Sequence, residues 1–291
     1  MNRHLLLALM SILFLPSYGQ TFSILKLDFR TQKTDTIRVA INQTVITTKG
    51  NRAKRSITSF PFDSVQGILA SHRMTLLKKV EVTNNFENYP LSTVVKLKGY
   101  KDNEDDRSYS GIMIGDKWVL TAAHCVRFQN GEWIQDSIIA FTGYNNDSSF
   151  LHSSDVQSAY IYELFANGKK WKDVALLELK DTLGSMDGWV GLRSISTKKE
   201  LRGVTFLEFG YPEQSEEMYI KYMQITKLLG GLLGIRDKNA FALFGESGSA
   251  IIYKSDVLFN TIGILSYSQQ YQHYRITEKD ISLLDLLMTS D

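Results

Sequence analysis

Apolar and polar positions alternate along much of this chain with a period of two. Residues 21–50 read FSILKLDF and then TIRVAINQTVITT, the spacing of half-buried strands. From Val80 onward, short apolar runs recur between Gly, Asn and Asp turns, at 92–100, 109–115, 117–123, 136–144, 156–165, 173–180, 204–211, 249–254 and 261–268. Many short strands punctuated in this way predict an antiparallel sandwich or barrels rather than a parallel α/β sheet. The C-terminus differs: Thr277–Asp280 caps a run with Ile281, Leu284, Leu287 and Met288 at helical spacing. The pattern predicts an all-β domain closed by one amphipathic α-helix.

The N-terminus has another texture. A short basic start, Met1–His4, leads into the apolar run Leu5–Pro16, and Ser17–Tyr18–Gly19 places small residues at the −3 and −1 positions of a cleavage site. The run is too short for a spanning helix of ~20 residues, so residues 1–19 read as a signal peptide. The expectation is an exported protein, extracellular or periplasmic, without a stable membrane anchor. The basic cluster Asn51–Arg55 and the pair Lys78–Lys79 flank the second half of residues 20–79. That segment is expected to be a pro-segment, or else a small N-terminal extension that stays attached. Residues 80–291 form the main domain.

Composition narrows the class. Lys and Arg number 33 against 31 Asp and Glu, so no charge excess argues for a nucleic-acid partner. Hydrophobic content of 43%, with 15 Phe, 14 Tyr and 4 Trp, suffices for a large core. Cys125 is the only cysteine; no intrachain disulfide can form, and the core must hold the fold. Beside His124, Cys125 reads as a small buried apolar residue rather than a reactive thiol. His152 and His273 read as surface or loop histidines, and one Cys and five His in all offer no metal-ligand cluster.

Three segments carry chemistry: WVLTAAHC around His124, WKDVALLELK around Asp173 and FGESGSAII around Ser247. Each sits at the edge of an apolar run, and residues so far apart meet only across a folded domain. A serine hydroxyl is a weak nucleophile at neutral pH. It needs a neighbouring base, and donors for the charge that develops on the carbonyl oxygen. Glycines on both sides of Glu246–Ser247 let the backbone turn sharply, so that the amides of Gly245 and Ser247 can aim at one oxygen. Asp173 opens its strand, whereas its rival Asp181 follows it. The order His, Asp, Ser, with Ser249 as fifth residue of G-E-S-G-S, is not the G-x-S-x-G arrangement of α/β-hydrolases.

Thr121–Cys125, Asp173–Leu177 and Gly245–Ser249 together resemble the three signature blocks of chymotrypsin-like serine endopeptidases. The lack of disulfides and the segment VTNNFENYP (82–90) resemble the bacterial glutamyl-endopeptidase, V8-like branch. The resemblance covers about Val80–Asp291. It implies two packed six-stranded antiparallel β-barrels with a C-terminal helix and an active site between the barrels. His124 would be general base and acid, Asp173 its orienting carboxylate, Ser247 the nucleophile, and the Gly245 and Ser247 amides the oxyanion hole. Ser266 falls where the family has a serine beside the triad carboxylate, and the strand around Ser266, Tyr267 and Ser268 would pair with the substrate backbone. Protein or peptide substrates follow from this, without metal or organic cofactor. A catalytically silent binding or adhesion module on the same fold, and an esterase, are the competing readings.

The sequence departs from the family at three positions. Glu246 stands where trypsin-like members have Asp and V8-like members usually Asn, and no Ile-Val-Gly-Gly start is visible. A zymogen activated by cleavage after Lys79, or within Leu69–Lys79, is the corresponding expectation. Phe241 stands six residues before Ser247, where trypsin-like enzymes place an Asp, which argues against preference for Lys or Arg. Leu265 occupies the position of the glutamyl endopeptidases' pocket His. Two pockets remain open: an acid-binding one using His273 or Arg275, and an apolar one built by Phe241, Ala242, Leu265 and Tyr267.

Overall fold

The computed structural model describes residues 20–45, 47–52, 76–79, 87–102, 104–127, 132–146, 149–213, 217–235, 242–255, 258–267 and 272–290. The expected signal peptide, residues 1–19, lies outside them, as do Phe241 and Ser268.

The strands run in chain order as β1 (Gln20–Asp28), β2 (Lys33–Ile41), β3 (Asn51–Arg52), β4 (Leu76–Lys79), β5 (Val94–Lys101), β6 (Glu104–Met113) and β7 (Trp118–Thr121). They continue as β8 (Ser137–Thr142), β9 (His152–Tyr162), β10 (Ala175–Leu179), β11 (Gly188–Trp189), β12 (Gly191–Leu192) and β13 (Phe206–Gly210). The last six are β14 (Tyr219–Met223), β15 (Ile225–Leu229), β16 (Leu232–Ile235), β17 (Ala250–Ser255), β18 (Leu258–Tyr267) and β19 (Gln272–Arg275).

The order β10-β7-β6-β5-β8-β9, with β9 pairing back onto β10, closes a six-stranded antiparallel barrel. Its interior follows from the apolar runs. Leu177 lies opposite Val119 on one side and Ala159 on the other, all fully buried. Each Val or Leu so placed contributes about 1.5–3 kcal/mol by leaving water. The second half is a curled half-barrel sheet, β15-β16-β19-β18-β17-β13-β14-β4. Strands β14 and β15 stand far apart in that order, yet Gln224 alone separates them in sequence, so the sheet bends back on itself.

The N-terminal residues join both halves. Strand β1 pairs with β9, Leu25 opposite Ile161, and β2 forms the outer edge. Strand β4 pairs with β14, Leu77 opposite Lys221. The two halves meet through aromatic rings: Tyr144 and Tyr211 contact edge to face at 6.0 Å, with Lys96 Nζ 4.4 Å from the first centroid.

The helix forms at Glu278–Thr289 with Thr277 as its cap. The Asp280 amide donates to Thr277 Oγ1, and the Asp280 carboxylate accepts from the Thr277 amide at 2.9 Å, a reciprocal cap. Its buried face carries Ile281, Leu283, Leu284 and Leu287.

Strands β14, β15, β16 and β19 were not expected from the sequence. In the run from Tyr219 to Ile235 apolar residues occupy both parities and Lys221 interrupts them; the structure buries Lys221 among carboxylates instead of exposing it. No helix among the described residues is long and apolar enough to cross a membrane.

Candidate active site

Strand β7 ends at Thr121, and a tight turn at Ala123–Cys125 follows. Ala122, Ala123 and Cys125 are fully buried, which leaves His124 as the side chain that faces out, 30% exposed. Burial pushes the Cys125 thiol far up, so this cysteine stays protonated and inert.

Asp173 sits between the turn Lys170–Lys172 and β10 and is 4% exposed. Its Oδ2 lies 2.7 Å from His124 Nδ1, and its Oδ1 accepts the His124 amide at 2.8 Å. Ser266 Oγ donates to the same Oδ2 at 2.6 Å. Three bonds thus hold one carboxylate. With Nδ1 engaged, Nε2 is the ring nitrogen left to accept a proton. Burial, the largest influence on this imidazole, lowers its pKa; the charge of Asp173 and its hydrogen bond together outweigh burial and raise it.

The preceding residue, Lys172, is tied down as well. Its ammonium bonds Asp280 Oδ1 at 3.1 Å and Tyr274 Oη at 3.1 Å. Asp280 Oδ1 also accepts from the hydroxyls of Tyr162, at 2.5 Å, and Tyr274, at 2.7 Å. The helix N-terminus therefore anchors the turn that presents Asp173.

Ser247 comes from the second half, in the turn before β17. Gly245 and Gly248 both have φ of 86°, a region glycine enters without strain. At each a Cβ would collide, with the Glu213 backbone at Gly245 and with Ser110 O and Thr121 Oγ1 at Gly248. The amide of Glu246 donates to Leu243 O, that of Gly248 to Leu265 O and that of Ser249 to Glu246 O. The amides of Gly245 and Ser247 have no partner among the described residues, and these are the two that the sequence assigns to the oxyanion.

Ser110, on β6 of the first barrel, docks this turn. Its amide donates to Ser247 O at 2.9 Å. Its hydroxyl donates to Gly245 O at 3.1 Å and accepts the Tyr211 amide at 2.8 Å. Its carbonyl accepts from Thr121 Oγ1 at 2.7 Å. The turn that carries Ser247 thus rests on the strand end that leads to His124. Sequence reading missed Ser110, which lies within β6, and gave Thr121 no role of its own in the block it opens.

The expected pocket residues scatter. Leu265 is fully buried in the small core of the second half, against which the half-buried Ala242 packs. His273 is not the surface or loop histidine expected: it is fully buried on β19, its Nε2 2.7 Å from Glu208 Oε2. Arg275 lines a separate cavity of about 520 Å³ with Trp171, Lys172 and Tyr274. Ser266 touches Asp173, and Tyr267 ends β18.

Known proteins match this fold. The protease of Arthrobacter nicotinovorans called Anisep superposes with a TM-score of 0.52 at 18% identity, over 64% of this chain and 90% of that one. A Glu endopeptidase solved in complex with MPD gives a TM-score of 0.60 at 19% identity, over 72% of this chain and 95% of that one. A thermostable serine protease, AL20, gives 0.53 at 15%, over 66% and 96%. These likenesses establish a chymotrypsin-like fold. Coagulation factor XI of Bos taurus is 24% identical over 189 residues, 55% of this chain; the matched stretch spans only 29% of that relative's length. A family model described as trypsin matches residues 87–278. On that match, the chain belongs to the trypsin family.

Proposed function

We propose that this protein is an exported serine endopeptidase acting through His124, Asp173 and Ser247. Ser247 Oγ attacks a peptide carbonyl while His124 takes its proton. The amides of Gly245 and Ser247 receive the oxyanion, His124 returns the proton to the leaving amine, and water releases the acyl-enzyme. The observation that carries this reading is the convergence on Ser110 and Thr121 of a carboxylate-bound histidine from one half and a serine turn with two unpartnered amides from the other.

Substrates are proteins or peptides, cleaved after residues other than Lys or Arg, since no acidic side chain stands at Phe241. A leader at 1–19 directs export. Residues 20–79 remain as an attached extension, a reading supported by the pairing of β1 with β9 and of β4 with β14.

The test is covalent labelling with a fluorophosphonate, which loses fluoride to the attacking serine oxygen. Wild-type protein should label and cleave a peptide library, and Ser247→Ala should do neither. Folded wild-type protein that does not label would favour a silent binding module; label with ester turnover but no peptide cleavage would favour an esterase. Cutting confined to Lys or Arg would overturn the specificity assignment.

A further inference from the structure

Glu246 directly precedes Ser247 and is 1% exposed. Its carboxylate forms an ion pair with the ammonium of Lys221 on β14, and both side chains are 2% exposed. Glu246 Oε2 also accepts the Leu243 amide at 2.6 Å. That bond closes the turn 243–246 on itself and fixes Gly245 between its ends. Across the β13–β14 register Lys221 faces Glu208, whose Oε1 lies 3.8 Å from Nζ and whose Oε2 bonds His273. A chain of four buried ionisable groups thus runs from the nucleophile's neighbour to β19.

A buried carboxylate needs a counter-charge. In trypsin-like members the residue at this position pairs with a new N-terminus, and the resemblance implies cleavage after Lys79 or within Leu69–Lys79 as its source here. The geometry points elsewhere. Glu246 Oε2 is engaged from within the chain, by the Lys221 ammonium and the Leu243 amide. Part of the expected cleavage region, Leu76–Lys79, is itself strand β4, paired to β14 beside Lys221.

Building on the protease reading above, we infer that Lys221 is a positioning residue for the oxyanion hole. Its ammonium anchors Glu246 and holds the Gly245 and Ser247 amides ready, so that acyl transfer needs no terminal ammonium released by cleavage.

The experiment uses the full chain from residue 20, its intactness confirmed by mass, and the same chain cut within 69–79. Fluorophosphonate labelling and ester turnover are followed with thermal unfolding as the fold control. The intact form should label at the rate of the cut form. Lys221→Met should lower kcat about 100-fold, as loss of an oxyanion donor does, with KM little changed, while Lys221→Arg keeps activity within about tenfold. Three results overturn the inference alone: labelling of the cut form only, a Lys221→Met protein of lower melting temperature but unchanged kcat, or Lys221→Arg as inactive as Lys221→Met. If Lys221→Met does not fold, the intact-against-cut comparison and Lys221→Arg decide. Failure of both wild-type forms to label overturns the protease reading and this inference with it.

Discussion

His124 offers two donors to one carboxylate: its backbone amide meets Asp173 Oδ1 at 2.8 Å, and its ring Nδ1 meets Oδ2 at 2.7 Å. The first bond fixes the turn, and the second fixes the tautomer, since an ionised carboxylate only accepts. Asp173→Asn should keep the shape and lose the tautomer. An amide side chain can present its NH₂ to Nδ1, which forces the proton onto Nε2 and leaves no base toward Ser247. We expect kcat/KM to drop about 10⁴-fold with little change in melting temperature. A drop under tenfold, measured on a peptide substrate, would remove Asp173 from the mechanism.

The pH dependence follows from the same pair. Only the neutral imidazole can take the serine proton, so kcat/KM should be flat on the alkaline side and fall about tenfold per pH unit on the acid side. Burial lowers the ring's pKa, but Asp173 raises it more, so the midpoint should lie above the ordinary 6.5. In Asp173→Asn the raising influences vanish while burial remains, and the midpoint of the residual activity should move down. A wild-type midpoint at or below 6.5, or one indifferent to Asp173→Asn, would contradict this.

How much of this was visible in the chain depends on where each residue's partners come from. His124, Asp173 and Ser247 stand at the ends of apolar runs whose strands were read nearly to their bounds, because those runs are continuous and β7 and β10 are buried at every position. Gly245 and Gly248 were legible as turn formers for the same local reason. Ser110 was not: its role exists only because the second half lands on it. Lys221 was read past because an isolated lysine in a strand is normally solvated; here Glu246, 25 positions on, and Glu208 bury it. Leu265 and His273 were assigned to a pocket by position; both are fully buried and lie opposite one another across β18–β19, a neighbourhood that only the strand pairing reveals.

Gly248 allows a controlled comparison with Gly203. Both have positive φ, 86° and 74°, so alanine at either costs about 1–2 kcal/mol of backbone strain. At Gly203 a Cβ meets nothing within 4 Å; at Gly248 it runs into Ser110 O and Thr121 Oγ1. Gly203→Ala should lower stability by the strain alone and leave the labelling rate unchanged. Gly248→Ala should lose more stability and at least about tenfold in labelling, because relief of the clash pushes Ser247 off the His124 strand end. Equal labelling rates in the two variants would mean that the docking on Ser110 does not position the nucleophile.

Asp280 predicts an acid limit to stability. Burial, the largest influence, raises its pKa, but Lys172, Thr277, Tyr162 and Tyr274 together hold it below the ordinary 3.8. A carboxylate depressed on folding stabilises fully above its unfolded pKa, and that contribution is lost as pH falls through the folded one. Asp280→Asn leaves the Lys172 ammonium, 13% exposed, beside neutral oxygens, and near neutral pH it should cost about 3–5 kcal/mol. The gap between wild type and variant, read from denaturant unfolding, should stay constant down to about pH 5 and narrow below that, as first the unfolded and then the folded wild-type carboxyl gains its proton. A gap that narrows instead between pH 6 and 8 would assign the coupling to a histidine and not to Asp280.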